Sequence, residues 1–313
     1  MQAYTIEEKG NARVLNVEGK SYQTIYSAKV IELLISRKGL NRTLDYLRHK
    51  EKRSYFLTPI FSYLKAQGKV NLKVLEAGCS AGQLTELLDE QDFISEICCF
   101  DVDKALIEVS NLKAKELRLN KVKNIDCLTT AQTESLPYED NYFELILVVG
   151  VVEHLPFEAR YRYVDEYYRK LKIGGLICFL NTPNRKYFFD WHTTGLPFIN
   201  WLSPQNAFIY AKLFGKLKRV SFPEFVRPGT GWRGATYYEC LPQSRTIVID
   251  DISESAGYGY SFFRKCRHSL KFRIFIKPFF KIIYLFSRLL NFPVSFFLPE
   301  LNVVFKKVLE YEK

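Results

Sequence analysis

A doubly wound, mostly parallel α/β sheet is the fold that the sequence predicts over residues 71–183, and three observations predict it. After Leu72 short apolar runs alternate with longer stretches of helical period, as in strands joined by crossover helices. The run from Val74 to Leu88, "VLEAGCSAGQLTELL", reads as a buried strand, a glycine-bearing turn and the start of a helix. The next apolar run ends in "FDVD", which places Asp101 one βα unit after Gly78.

Taken in order, residues 1–70 read as a helical N-terminal cap, helical mainly from Ser27 onward, with the apolar spacing of a segment that covers a core. Residues 71–183 form the core, with strands at "LKVLEA", "EICCFDV", "NIDCLT", "YFELILVVG" and "LICFLNT". Helices are expected near 82–90, 103–118 and 156–171, with a short turn at 132–135. The last helix is expected to end at "LKIGG", where Gly174 and Gly175 supply a C-cap and a tight entry to the next strand. Residues 184–313 are a C-terminal addition. It comprises an aromatic, Pro- and Gly-rich segment with a helix near 204–215, a strand "RTIVID", a basic and aromatic stretch from Phe262 to Leu298, and a strand "LNVVFKKV". The two late strands bring the sheet to seven. The sequence has no internal repeat and no apolar run long enough to cross a bilayer.

A chain of 313 residues, 47% hydrophobic and 25% charged, has ordinary globular composition and ample material for a core. Its start, "MQAYTIEEKGNARVL", lacks the basic and apolar blocks of a secretory signal, so the expected location is the cytoplasm. Seven cysteines without a C-x-x-C pair, of which Cys79, Cys98, Cys99, Cys127 and Cys178 fall in or beside core strands, suit buried reduced thiols. The four histidines, His49, His154, His192 and His268, include no pair at metal-ligand spacing, which speaks against a metal site. Charge is uneven: residues 71–183 carry 12 Lys+Arg against 19 Asp+Glu, and residues 184–313 carry 20 against 9. Basic flanks around an acidic core point to an anionic partner, although any one cluster can be a solvated face.

The glycine turn itself excludes two ligand classes. A dinucleotide turn needs a middle glycine so that the backbone approaches a pyrophosphate, and Ser80 stands there instead. A phosphate loop needs Gly-Lys-Ser/Thr at its end, whereas Gly82 is followed by Gln83 and Leu84. Glu76 at the mouth of the turn would repel a pyrophosphate but suits a ligand bearing positive charge. Asp101 can accept both hydroxyls of a ribose.

The ordered runs "EAGCSAGQLTELL", "FDVD", "SLPYEDNYFELILVVGVVEHLP" and "LKIGGLICFLNTPNR" resemble the class I S-adenosylmethionine-dependent methyltransferases. Within them the sequence is most similar to the small-molecule branch that includes the ubiquinone-biosynthesis O-methyltransferases. The resemblance covers about 70–187 and implies a Rossmann-like, seven-stranded fold with S-adenosyl-L-methionine as cofactor. It implies that Glu76 orients the cofactor near its amino-acid end, that Gly78, Cys79 and Gly82 give the backbone room, and that Asp101 binds the ribose. Val102 would pack on the adenine; Val149 is a further cofactor-binding candidate, and both valines would be core residues whether or not a cofactor binds. Gln132 stands where the family has an acid that accepts from the adenine amino group, and its amide carbonyl can take that bond. Thr133 would offer its backbone N–H.

Methyl transfer asks the enzyme to position the acceptor and remove its proton. Glu153 and His154, just beyond the fourth strand, are the catalytic candidates, and capping or pocket lining is the alternative role. Trp191, His192 and Trp201 are candidates for the acceptor pocket, with packing as the alternative. The leading expectation is an enzyme that methylates a small or lipid-linked acceptor at oxygen. A nucleic-acid methyltransferase is disfavoured, because "VVGVVEHLP" replaces the Asn/Asp-Pro-Pro-aromatic run expected of amino-directed members. A non-catalytic membrane-associated protein is the third alternative. The segment "PFFKIIYLFSRLLN", 278–291, has Lys281, Tyr284, Arg288 and Asn291 on one side of a helix. Phe279, Ile282, Ile283, Phe286, Leu289 and Leu290 share the other side. That apolar side is expected either to pack on the protein or to rest peripherally on an anionic membrane surface.

Overall fold

The computed structural model describes all residues except 1–3, 10, 11, 49, 191, 228, 233, 260–280, 291, 312 and 313. The chain forms two compact units, Met1–Ala131 and Gln132–Lys313, so the division falls inside the segment 71–183 that the sequence presents as one core.

In the first unit, strands β1 (Tyr4–Lys9), β2 (Ala12–Val17) and β3 (Lys20–Thr24) pair as an antiparallel three-stranded sheet. The part of the expected helical cap before Ser27 is thus a sheet, whereas the helical reading from Ser27 onward agrees with the structure. The β2–β3 hairpin turns on Glu18 and Gly19, both at positive φ, which is the geometry of a tight two-residue turn whose usual sequence signal is Asn-Gly. With Glu in the first position that signal is weak. Leu15 and Val17 of β2 bury against Ile31 of helix α1 (Ala28–Lys38), which Ser27 caps by accepting the Val30 N–H at 3.2 Å. Helices α2 (Leu40–Arg48) and α3 (Lys50–Ala66) complete the N-terminal part. The alternating pattern then gives β4 (Leu72–Ala77), α4 (Gln83–Asp89), β5 (Ile94–Asp101), α5 (Lys104–Glu116) and β6 (Val122–Cys127). The three strands pair in parallel, close to the expected bounds. Cys127, at the end of this edge strand, is exposed rather than buried as expected.

The second unit holds β7 (Phe143–Val149), α6 (Arg160–Lys170), β8 (Leu171–Pro183), α7 (Pro204–Leu213), α8 (Phe222–Val226), β9 (Ile247–Asp251) and β10 (Glu300–Glu310). β7 and β8 are parallel, and β10 runs antiparallel to both β8 and β9. Together the strands make a mostly parallel seven-stranded sheet of order β6-β5-β4-β7-β8-β10-β9. Gly174 and Gly175 do not cap α6, which ends at Lys170; they lie within β8. There the register against β7 slips between Leu171 and Leu176, and Gly174 takes φ +81. A Cβ on Gly175 would meet the Lys172 carbonyl oxygen at 2.9 Å, so a bulge rather than a cap is what these glycines permit.

Beneath the turn after β4 lies a buried ion pair between Lys113 of α5 and Glu86 of α4, 1% and 5% exposed. Lys113 Nζ also donates to the carbonyls of Ala81 (2.9 Å) and Gly82 (3.3 Å) and to the Tyr46 hydroxyl. Tyr26 Oη donates to both Glu86 oxygens at 2.9 and 3.0 Å, and the Lys113 ammonium lies 4.8 Å from the Tyr26 ring centre and 4.7 Å from that of Tyr46. One buried cation thus ties α2, α4, α5 and Tyr26, which precedes α1, to the turn. Lys113→Met, which strands the Glu86 carboxylate without its cation, is expected to cost about 3–5 kcal/mol in urea denaturation, and a loss under about 1 kcal/mol would mean that the pair does not hold the unit together.

Candidate active site

The turn after β4 is built from residues in uncommon backbone conformations. Gly78, Ser80 and Gly82 have φ of +74, +52 and +70, and a Cβ on Gly82 would lie 2.5 Å from Ser110 Oγ, so only glycine fits there. Ser80 donates its N–H to Asp101 Oδ2 at 2.8 Å and accepts from Lys38 Nζ at 2.9 Å through its hydroxyl. Its amide is therefore committed within the protein, as a pyrophosphate-binding turn could not allow. Asp101, half-buried at the end of β5, takes a second backbone N–H from Asp103 at 2.9 Å, one on each carboxylate oxygen. Each oxygen keeps a lone pair for an outside donor. Glu76 is buried and accepts from Thr85 Oγ1 at 2.7 Å. Cys79 packs with Cys99 and Ile107, and the hydrogen bond with Cys99 together with burial pushes its thiol pKa far up, so it is an inert turn residue. Val102 is 55% exposed.

In the second unit Gln132 and Thr133 open a short 3-10 turn, Gln132 exposed and Thr133 buried, and Val149 ends β7 half-buried. The chain then bends at Gly150 (φ +64) into a 3-10 turn, Val152–His154. Glu153 is 4% exposed and its Oε2 accepts from Thr182 Oγ1 at 3.3 Å. Burial raises its pKa above the usual carboxylate range, opposed by a weaker pull from His154 and His192. Glu300 of β10 is raised too, by burial first and then by the Glu153 charge. His154 is exposed, and its Nδ1 lies 2.7 Å from the Gly229 carbonyl oxygen. A carbonyl only accepts, so Nδ1 carries the proton and, in the neutral ring, Nε2 has the free lone pair.

A glycine-bearing loop covers this pair. Gly231 has φ +71, and a Cβ there would meet His154 Cε1 at 2.8 Å and Glu153 Cγ at 3.3 Å. Buried Arg160 fixes the loop by donating to the Gly234 carbonyl (2.7 Å) and the Glu153 carbonyl (3.0 Å) while pairing with Glu239 at 3.1 Å. Sequence reasoning missed Arg160, Glu300 and the loop; "PGTGWRGA" was the one readable signal, since closely spaced glycines often mark a close backbone approach.

Of the acceptor candidates, Trp191 lies outside the described residues. His192 is exposed, in a loop whose Asp190 accepts from the backbone N–H groups of His192, Thr193 and Thr194. His192 lines a small polar cavity with Asn181, Asn200 and Glu300. Trp201, 56% exposed, lines a different, aromatic groove. The structure thus brings Glu153, His154 and His192 into one electrostatic group and leaves Trp201 in the groove.

Residues 75–179 match the family model of a methyltransferase domain. Over 124 residues, 40% of this chain and 36% of the relative, the chain is 30% identical to the mitochondrial ubiquinone biosynthesis O-methyltransferase of Candida albicans. An uncharacterized protein of Haemophilus influenzae is 33% identical over 107 residues, 34% of this chain and 40% of the relative. The chain thus spans well under half the length of these curated relatives. Among solved structures, the YcgJ protein of Bacillus subtilis aligns at 23% identity and TM-score 0.35 over 41% of this chain and 51% of that one.

Two outcomes follow from the geometry of the second unit. Gly231→Ala must adopt a strained left-handed backbone and push the His154 ring, so a loss of about 1–2 kcal/mol in stability is expected, with a displaced His154 imidazole resonance in NMR spectra. An unmoved resonance would place the loop away from the ring. Because the folded-state pKa of Glu153 is raised, its favourable contribution is complete below the ordinary carboxylate value and is lost as pH rises through the raised one. Glu153→Gln should therefore be at least as stable as wild type at about pH 8, with a flatter fall in stability above about pH 4, and an unchanged pH profile would contradict this.

Proposed function

We propose that this chain, in which residues 75–179 are a class I S-adenosylmethionine-dependent methyltransferase domain, transfers a methyl group from S-adenosyl-L-methionine to a hydroxyl of a small or lipid-linked acceptor. The cofactor, when bound, supplies a methyl carbon already activated by its sulfonium. The fit of the chain to this ligand rests on the turn of the first unit: a committed Ser80 amide, a buried carboxylate at Glu76, and Asp101 with unused lone pairs. Asp101 accepts the ribose hydroxyls, Glu76 stands toward the cationic amino-acid end, and Gly78, Cys79 and Gly82 leave room for the ligand. Val102 packs on the adenine.

The observation that carries the oxygen assignment is the tautomer of His154. Its Nδ1–H is engaged by the Gly229 carbonyl, which aims the basic lone pair of Nε2 outward. A hydroxyl must lose its proton to become a competent nucleophile, and an imidazole of this tautomer has a lone pair to take it. Glu153 orients that ring through its charge and through the turn they share. His192 lines the acceptor side in the cavity with Asn181, Asn200 and Glu300, and Trp201 stays in the separate aromatic groove.

Calorimetric titration is expected to show S-adenosylhomocysteine binding with no competing affinity for NAD; tighter NAD binding would overturn the cofactor assignment. Asp101→Ala should weaken S-adenosylhomocysteine by about 1.5–3 kcal/mol, the value of a hydrogen bond to a charged acceptor, and unchanged affinity would remove Asp101 from the site. His154→Ala should slow methyl incorporation about 100-fold or more with cofactor affinity kept, whereas a loss under about tenfold would leave the reaction to positioning alone.

A further inference from the structure

We propose that the apolar stripe of the helix over 281–289, with the aromatic groove beside it, is a docking surface for an anionic lipid bilayer. Ile282, Leu285, Phe286 and Leu289 recur at helical spacing and are 63%, 58%, 51% and 80% exposed. The helix meets the protein with its other side, where Ser287 is fully buried and donates to the Tyr284 carbonyl at 2.8 Å. Of the two arrangements the sequence allowed, packing of the apolar side on the protein is thus not the one found for these residues; Phe279 lies outside the described ones. Beside the stripe, Phe286 shares a groove of about 700 Å³ with Phe188, Trp201 and Phe297; exposed Lys186 also lines it, as does Arg185, which is paired with Glu239. Exposed apolar surface of this extent marks an interaction face, and an exposed Trp suits a membrane interface.

Charge selects the occupant. Lys281 and Arg288 are exposed and flank the stripe on one side. Residues 184–313 carry 20 Lys+Arg against 9 Asp+Glu, including Arg264, Lys265, Arg267, Lys271, Arg273 and Lys277 just upstream in sequence. Anionic headgroups complement this positive charge while acyl chains take the stripe. A second copy would bring the same positive charges together, and a nucleic acid offers nothing to four aliphatic and aromatic side chains. Among the described residues no helix is long and apolar enough to cross a membrane. The inference stands independently of methyl transfer.

The test is flotation of the full chain with vesicles of phosphatidylcholine alone and of phosphatidylcholine mixed with phosphatidylglycerol, at low and high salt. Binding to the mixed vesicles alone, weakened by salt and reduced on the order of tenfold or more by Ile282→Glu/Leu289→Glu, is expected. Leu289→Ser serves as a second variant should the double one unfold, judged by circular dichroism. Leu213→Glu, at an exposed apolar position of α7, should bind as wild type does. No binding to any vesicle overturns the proposal. So do variants that bind like wild type, loss of binding only in Leu213→Glu, or a dimer that Ile282→Glu/Leu289→Glu dissociates.

Discussion

The buried ammonium of Lys113 is the constraint on which the first unit depends. An isolated cation at 1% exposure would cost several kcal/mol, and the chain offsets this with one carboxylate, one tyrosine hydroxyl and two turn carbonyls. The Ala81 carbonyl also accepts from the Tyr46 hydroxyl at 2.6 Å, so phenol and ammonium share the turn. Capture of the carbonyls fixes the turn from below, so that the Ser80 amide points to Asp101 from above. Asp101 is thereby held on both oxygens before any ligand arrives, and a preorganised acceptor loses less entropy on binding.

Arg160 does comparable work in the second unit. Its guanidinium collects the carbonyls of Glu153, Leu155 and Gly234 and the carboxylate of Glu239, which Arg185 also holds at 2.7 Å. The planar fork suits several fixed acceptors better than a lysine would. The result is a rigid frame in which a buried Glu153 with raised pKa sits next to a histidine of defined tautomer. In both units a buried cation organises backbone carbonyls near an acidic side chain.

Much of this was legible in the sequence where the chemistry is local. The strands, the turn at Gly78 and Gly82, and Asp101 at the end of β5 follow from period and spacing within about one βα unit. The β2–β3 hairpin was not, because Glu18 replaces the residue that usually announces such a turn. Gly174 and Gly175 were read as a cap because a bulge inside a strand depends on the partner strand β7, which no local pattern reveals. Lys113 with Glu86 and Arg160 with Gly234 look like ordinary charged helix positions, since their partners lie 27 and 74 residues away in the chain. The outward apolar stripe at Ile282 and Leu289 was visible as an amphipathic pattern, but which side meets the protein is a tertiary fact.

The central claim, that this chain moves a methyl group onto an oxygen of a small or lipid-linked acceptor, is met most directly by identifying the product. Incubation of the full chain with methyl-labelled S-adenosylmethionine and fractionated cell extract, followed by mass spectrometry of the labelled fraction, reads both the acceptor and the atom. The account predicts label in a small-molecule or lipid fraction as an O-methyl group, dependent on His154. Label confined to nucleic acid, on nitrogen or carbon, or in no fraction at all would contradict it.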